Sequence, residues 1–342
     1  MNKKRLIIFG IGLAVAFVLI SYLRKDAERL YHITGQTMGT IIYNVKYVDE
    51  FADGLDKEIS DELVAFNQSL STYVPTSEIS TLNKEGYFEF QSGFFLPVLQ
   101  KSKDIYQKTD GAFDPSIGPL VQAWGFGPDK RIPNVDSAAV DSLQSIIGFD
   151  KVQFDQSKVS LPENFQIDFS AIAKGYAVDV VAELLEARGI ENYLVEIGGE
   201  VRCRGENDEG KPWSLGIEDP TVSKDEQRLM AIVRLKDLSL ATSGNYRNFY
   251  EKDGKIYAHI IDPRTGFTAQ HNLLSASVFA PDCMTADAYA TAFMVLGLDY
   301  AKEIIRSQDL DGILIYRSED GTIESFVSDG IKPFLEMNKA GN

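Results

Sequence analysis

"DFSAIAKGYAVDVVAELLEARGIENYLVEIGG", residues 168–199, holds the sharpest change of period in this chain. Val178, Val181, Ala182 and Leu185 fall at i, i+3, i+4 and i+7, the apolar stripe of a helix packed on a core. Gly189 is the stop signal. "NYLVEI" then reads as a short strand ending at Gly198-Gly199. Ahead of the helix, "DFSAIAKG" sets a carboxylate, a hydroxyl, small residues and Lys174 before its first turn. A helix N-terminus is a ready anion site, and a lysine adds a point charge to it. The GxxxxGK[ST] spacing of a P-loop is absent here, and so is G-x-G-x-x-G after a strand. Asp168 and Ser170 read equally well as capping residues.

On either side, strands and helices mix. "GTIIYNVKYV" (39–48) reads as a strand, and residues 51–71 read as a helix with Leu55, Ile59, Leu63 and Phe66 on one stripe. "STYVPTSEISTLNK" (71–84) reads as a polar loop. The segment from Phe94 gives a helix and then a stretch broken by Gly and Pro, with 128–165 the least regular part. Further strands are expected at 213–218, 229–235, 256–261, 273–279 and 312–317, and helices at 285–296 and 299–307. Without strict βαβ alternation, the class is α+β rather than a doubly wound sheet.

The chain has 342 residues, 44% of them hydrophobic and 25% charged, which suits a globular core. Its 50 acidic and 34 basic side chains give a formal charge of −16, which disfavours nucleic acid. A polyphosphate ligand would need local devices: a divalent cation, backbone N–H groups or a lysine. "MNKKR" (1–5) precedes residues 6–23, a run without charge at the short end of a membrane span. The next residues, "RKDAER", offer no small-x-small cleavage site, so an uncleaved anchor followed by a linker at 24–34 is expected. Lys3, Lys4 and Arg5 orient the globular part out of the cytoplasm. Cys203 and Cys283 form no CxxC motif and are read as two free or buried thiols.

"TADAYATAFMVLG", residues 285–297, places Asp287 and Thr291 four apart on an otherwise apolar helix. Residues at i and i+4 are neighbours on a helix surface, which suits two oxygen ligands for one hard cation. The plain alternative sets Asp287 in the first turn, favouring the dipole, with Thr291 bonded back to the preceding turn. The histidines are His32, His259 and His271. Alternation in "KIYAHIIDPRTG" puts His259 on the more polar strand face, before a turn. A general base at neutral pH is most often a histidine, although a lone strand histidine is commonly structural. "QTMGT" (36–40) and "GAFDPSIGP" (111–119) carry Met38 and Phe113, each of which lines an apolar slot or fills a core.

Taken in order, "QTMGT", "LSTYVPTSEISTLN", "GAFDPSIGPLVQAWGF", "DFSAIAKGYAVD", "YLVEIGGEVRCRG", "ATSGNYRNF", "HIIDPRTG" and "ADAYATAFMVLG" resemble the ApbE family, the FAD:protein FMN transferases. The resemblance runs from Gly35 to the last strands and implies one catalytic domain over 35–337, T-fold-like, with mixed sheets flanked by helices and an FAD cleft between two lobes. It implies that FMN is moved from FAD, with Mg²⁺, onto a threonine hydroxyl of a protein acceptor, releasing AMP. Asp287, Thr291 and the Ala171 carbonyl match the metal ligands. Met38, Tyr73, Ala112, Phe113, Asp114, Asp168, Lys174 and Ile261 match FAD contacts, and His259 matches the base on the acceptor hydroxyl. The acceptors implied are membrane redox subunits with a Ser/Thr-Gly/Ala-Ala/Ser-Thr segment, met on the periplasmic side of the inner membrane. Position 290, a second carboxylate in some members, is Ala290 here. Water in place of threonine would make the same site an FAD pyrophosphatase, and a site without turnover would be a flavin-binding protein.

Overall fold

The computed structural model describes residues 29–49, 54–125, 137–222, 228–244, 249–252, 255–258 and 260–337. The expected anchor at 6–23 and His259 lie outside them. Among the described residues no helix is long and apolar enough to cross a membrane.

The chain begins with a hairpin, β1 (Arg29–Thr37) and β2 (Ile41–Asp49), so the segment read as a linker already contains strand from Arg29 onward. Helices α1 (Leu55–Leu70) and α2 (Glu78–Glu85) follow, then β3 (Tyr87–Glu89), α3 (Phe95–Lys108), α4 (Gly118–Ala123) and α5 (Ser137–Gln144). The polar stretch 71–84, expected as a loop, is half helix: Ser77 accepts the Ser80 N–H at 3.1 Å as its cap, and Ile79 and Leu82 are buried. A short helix with few apolar residues leaves little periodicity to read. Strands β4 (Gln153–Phe154) and β5 (Lys158–Ser160) lead into α6 (Ala173–Ala187), β6 (Tyr193–Ile197), β7 (Glu200–Arg204), β8 (Trp213–Glu218), β9 (Leu229–Leu235) and β10 (Leu238–Gly244). The remainder runs β11 (Phe249–Lys252), β12 (Lys255–Ala258), β13 (Leu273–Ala280), α7 (Cys283–Leu296), α8 (Leu298–Ser307), β14 (Asp311–Arg317), β15 (Ile323–Val327) and β16 (Leu335–Met337).

An eight-stranded sheet, β1-β2-β6-β7-β10-β13-β14-β15, forms the centre, with smaller sheets β16-β9-β8 and β3-β5-β4 and the β11-β12 hairpin beside it. Among the described residues every strand pair is antiparallel, so the α+β class holds while these sheets are not mixed in direction. Hairpins supply three of the central sheet's pairings, β1–β2, β6–β7 and β14–β15, and a hairpin can only be antiparallel.

The central sheet is buried on both faces, and strand alternation sorts its side chains between them. Tyr193, Val195, Ile197, Ala241, Ala276, Val278 and Leu314 join the core under α6 and α7. Their neighbours Leu194, Leu240, Phe279, Ile313 and Ile315 point the other way, onto Trp213, Ala231, Val233 and Leu235 of the small sheet. Cys203 lies in that second core and Cys283 in the first; both thiols are free and buried, as their spacing predicted.

Helix α7 is apolar on all sides because it is sandwiched: Ala286, Ala288, Ala290, Ala292, Phe293 and Met294 are all buried. Its alanines let α6 approach closely, and the closest point is Gly175. A Cβ there would meet the Cys283 carbonyl oxygen at 2.3 Å and Asp287 Cβ at 2.7 Å. Backbone on one side cannot rotate away, so Gly175→Ala should cost about 3 kcal/mol, the upper end for an overpacked core. A urea unfolding midpoint checks this; a midpoint equal to the wild type would show that the helices separate freely.

Candidate functional site

The first turns of α6 and α7 meet near the start of β7, and the charged residues of both motifs converge there. Asp287 sits in the second turn of α7, since the helix begins at Cys283 and not at Thr285. The dipole reading of this residue therefore loses its basis, because that effect fades beyond the first turn. Asp287 is 3% exposed, and its Oδ2 accepts the Gly175 N–H at 2.9 Å. Thr291, one turn on, places its hydroxyl 3.4 Å from that of Ser243 at the end of β10.

Lys174 acts electrostatically on Asp287 and pairs directly with Glu200, the first residue of β7. Gly198, just before Glu200, has φ at 61°, and a Cβ there would press on Ile41 Cγ2 at 2.8 Å. Glu200 is 2% exposed, and its Oε2 is buried without a hydrogen-bond partner. Burial pushes the Glu200 carboxyl up to about 7, with Lys174 pulling it down and Asp287 pushing it further. Burial likewise raises Asp287, against Lys174 and the Gly175 amide. Burial works against the Lys174 charge, but Asp287 and Glu200 outweigh it and hold the ammonium firmly protonated.

One cation thus faces two buried carboxylates, and the centre is short of positive charge when both ionise. The donors on offer on α7, a carboxylate and a hydroxyl at i and i+4, are both oxygen, the kind a hard divalent cation prefers. Among the described residues no group of three His, Cys, Asp or Glu side chains could hold a metal. A cation here would rely on Asp287 with neutral oxygens, and the residues present fit that demand.

The other expected contacts fall into separate groups. Asp168 N–H donates to the Pro115 carbonyl at 2.8 Å, which ties the 111–119 loop to the entrance of α6. The Asp168 carboxylate accepts the Ser170 N–H at 2.6 Å, so it shapes that turn and does not cap α6, whose N-cap is Ile172. Asp114 is buried, with Oδ1 accepting from the Ser116 N–H at 2.8 Å and hydroxyl at 2.6 Å; burial raises its carboxyl against those bonds. Ala112 is buried and Phe113, at 1% exposure, belongs to the core. Met38 occupies the β1–β2 turn in a left-handed conformation, φ 46°. Tyr73 stands 80% exposed. Ile261 bridges Thr268 and packs with Leu120, Trp124, Val140 and Ile147, apart from the Lys174–Asp287 centre.

Glu200 and Asp179 are site residues that the sequence reading missed. Asp179, on α6, accepts from the Cys283 and Met284 amides and from Arg202. Burial pushes its carboxyl up to about 6 while those donors pull it down. The signal for Glu200 was present: a lysine expected at a buried helix start needs a counter-charge, and "GGE" offers one.

Glu200 also sets a pH dependence. Its folded value, about 7, lies above its ordinary 4.5, so the folded chain holds the proton more tightly between the two. The stability it contributes is complete below the lower value and is lost as pH rises through the upper one. In chelator, Glu200→Gln should therefore melt with a flatter profile between about pH 5 and about pH 7.5 than the wild type. Parallel profiles would show that Glu200 does not titrate there.

The frame is an antiparallel α+β fold with a buried ion cluster set between a helix start and an apolar helix. The sequence pattern of the ApbE family matches residues 38–314. The FAD:protein FMN transferase of Haemophilus influenzae is 39% identical over 328 residues, covering 91% of this chain and 93% of that one. The structure of the flavin transferase ApbE from Vibrio cholerae superposes with a TM-score of 0.80 at 37% identity, over 90% of this chain and 99% of that one. The apo flavinyl transferase ApbE of Pseudomonas stutzeri gives 0.80 at 30% identity, over 90% and 97%. The chain belongs to the ApbE family.

Proposed function

We propose that this protein is a Mg²⁺-dependent FAD:protein FMN transferase that attaches FMN through a phosphodiester bond to a threonine of an acceptor protein and releases AMP. The observation that carries the reading is the Lys174–Glu200–Asp287 centre, short of one positive charge, at the start of α6 in an ApbE chain. A pyrophosphate resists attack because its own charge repels a nucleophile. Asp287, Thr291 and the Ala171 carbonyl would hold Mg²⁺, which would supply a Lewis-acid charge against the pyrophosphate oxygens. Lys174, at the start of α6, draws the same oxygens by its point charge.

The remaining FAD contacts are Met38, Tyr73, Ala112, Phe113, Asp114, Asp168 and Ile261. His259 takes the threonine proton as the hydroxyl oxygen attacks the FMN phosphorus. The bond from that phosphorus to the bridging oxygen breaks, and AMP leaves with the electron pair. The anchor at 6–23 would hold the domain outside the cytoplasm, facing membrane redox subunits as acceptors.

Incubation of the protein with FAD, Mg²⁺ and an acceptor carrying the threonine segment tests this. Intact mass should show one FMN added to the acceptor, with AMP in equal amount. Free FMN and AMP beside an unmodified acceptor would replace transfer with hydrolysis, and intact FAD would leave a binding protein.

A further inference from the structure

Two carboxylates join α6 and α7 in opposite directions, and the proposed reaction uses only one of them. Asp287 of α7 accepts the Gly175 N–H in the first turn of α6 at 2.9 Å. Asp179, one turn further along α6, accepts the N–H groups of Cys283 and Met284, the first two residues of α7, at 2.9 and 2.7 Å. Each helix thereby sets a carboxylate on the other's first turn, where unpaired N–H groups and the helix dipole favour negative charge. Asp282 serves the Thr285 N–H at 2.8 Å, so Asp179 meets two donors that the local cap leaves free. Arg202 of β7 completes the arrangement, with Nη1 on Asp179 Oδ1 at 2.9 Å and Nη2 on Glu186 at 3.1 Å.

We infer that Asp179, held by Arg202, is a positioning residue for the cation site: it fixes the start of α7 against α6 and so sets Asp287 and Thr291 relative to Lys174 and the Ala171 carbonyl. The inference rests on the reading of Asp287 and Thr291 as metal ligands. Stability alone gives little reason for such a group. Asp179 is 3% exposed, and a buried ion pair contributes no more than a well-packed apolar substitute. Directed bonds to two consecutive amides fix where α7 begins and how it is rotated, which apolar contact leaves loose. Gly175 brings the helices into backbone contact beside it, so a displaced helix start moves Asp287 with it.

Asp179→Asn keeps the volume but puts an NH2 where one oxygen accepts, setting a donor against a donor. Arg202→Met leaves Asp179 and both amide bonds in place and removes the cation. Free Mn²⁺, which takes the same oxygen ligands as Mg²⁺, is followed by electron paramagnetic resonance during titration of the full-length protein without FAD. Thermal melts are recorded in parallel, and Asp287→Asn serves as reference. The expected result is a 10–100-fold weaker Mn²⁺ affinity for Asp179→Asn, the usual scale for a group that orients a ligand. Arg202→Met should shift the affinity in the same direction by a smaller factor, and Asp287→Asn should abolish binding. A purely structural Asp179 would lower the melting temperature and leave the Mn²⁺ affinity unchanged, which overturns the inference. Should Asp179→Asn fail to fold, wild-type affinity in Arg202→Met overturns it equally. Wild-type affinity in Asp287→Asn would remove the ligand reading and this inference with it.

Discussion

Replacing Asp287 with Asn should lower kcat for FMN transfer about a thousandfold while leaving the metal-free protein as stable as the wild type. The amide oxygen can still accept the Gly175 N–H, so the contact between α6 and α7 survives. What disappears is a negative charge that the fold itself disfavours, since burial already raises the Asp287 carboxyl. Removing it relieves the metal-free protein and deprives a cation of its one charged ligand on α7. Thr291 and a backbone carbonyl remain, and neutral oxygens alone hold Mg²⁺ poorly. Melting with and without Mg²⁺ separates the two effects: the wild type should gain stability on adding the ion, by linkage, and the variant should not. A variant that still gains stability and still transfers FMN would place the cation elsewhere.

The second large effect is expected at His259. His32 is exposed and meets the Asn44 side chain at 3.1 Å. His271 has its Nε2 2.7 Å from the Met294 carbonyl and its Nδ1 accepting the Leu273 N–H at 3.2 Å, and burial lowers its affinity for a proton. With both nitrogens engaged and the ring kept neutral, His271 has no free position for an acceptor proton. In the proposed reaction His259 is the base. His259→Ala should slow transfer by about 10²–10⁴-fold, the usual contribution of a general base, with FAD affinity unchanged. His32→Ala should transfer as the wild type does. Equal rates for His259→Ala and the wild type, measured as FMN added to the acceptor by intact mass, would remove the base.

Periodic features of the chain were legible before the fold was known. The stripe from Val178 to Leu185 and the paired oxygens at 287 and 291 both follow from helix geometry alone. The strands from Tyr193 to Ile197 and from Leu273 to Ala280 stood out as apolar runs between turn signals. Other parts depend on distant partners and leave no local trace. β1 follows a charged segment and alternates only weakly, and its pairing with β2 is what makes it a strand. The short helix Glu78–Glu85 is secured by one cap and two buried side chains. Asp179 shows nothing in its own neighbourhood of the amides it serves, 104 and 105 residues away. Its position on an amphipathic helix looks like ordinary solvent-facing charge until α7 is set against it.

The placement of the two thiols bears on how such a domain can mature. Cys203 and Cys283 lie in separate cores on opposite sides of the central sheet. Burial pushes the Cys203 thiol up to about 12 and the Cys283 thiol well above its ordinary value. Thiolate is the form that attacks disulfides and oxidants, and neither residue supplies it in the native state. Once folded, the chain is indifferent to the redox poise of its surroundings and needs neither an oxidase nor an isomerase to reach this state. Its vulnerable interval is the time before the sheet closes between the two cysteines, and speed of folding is its protection against mispairing.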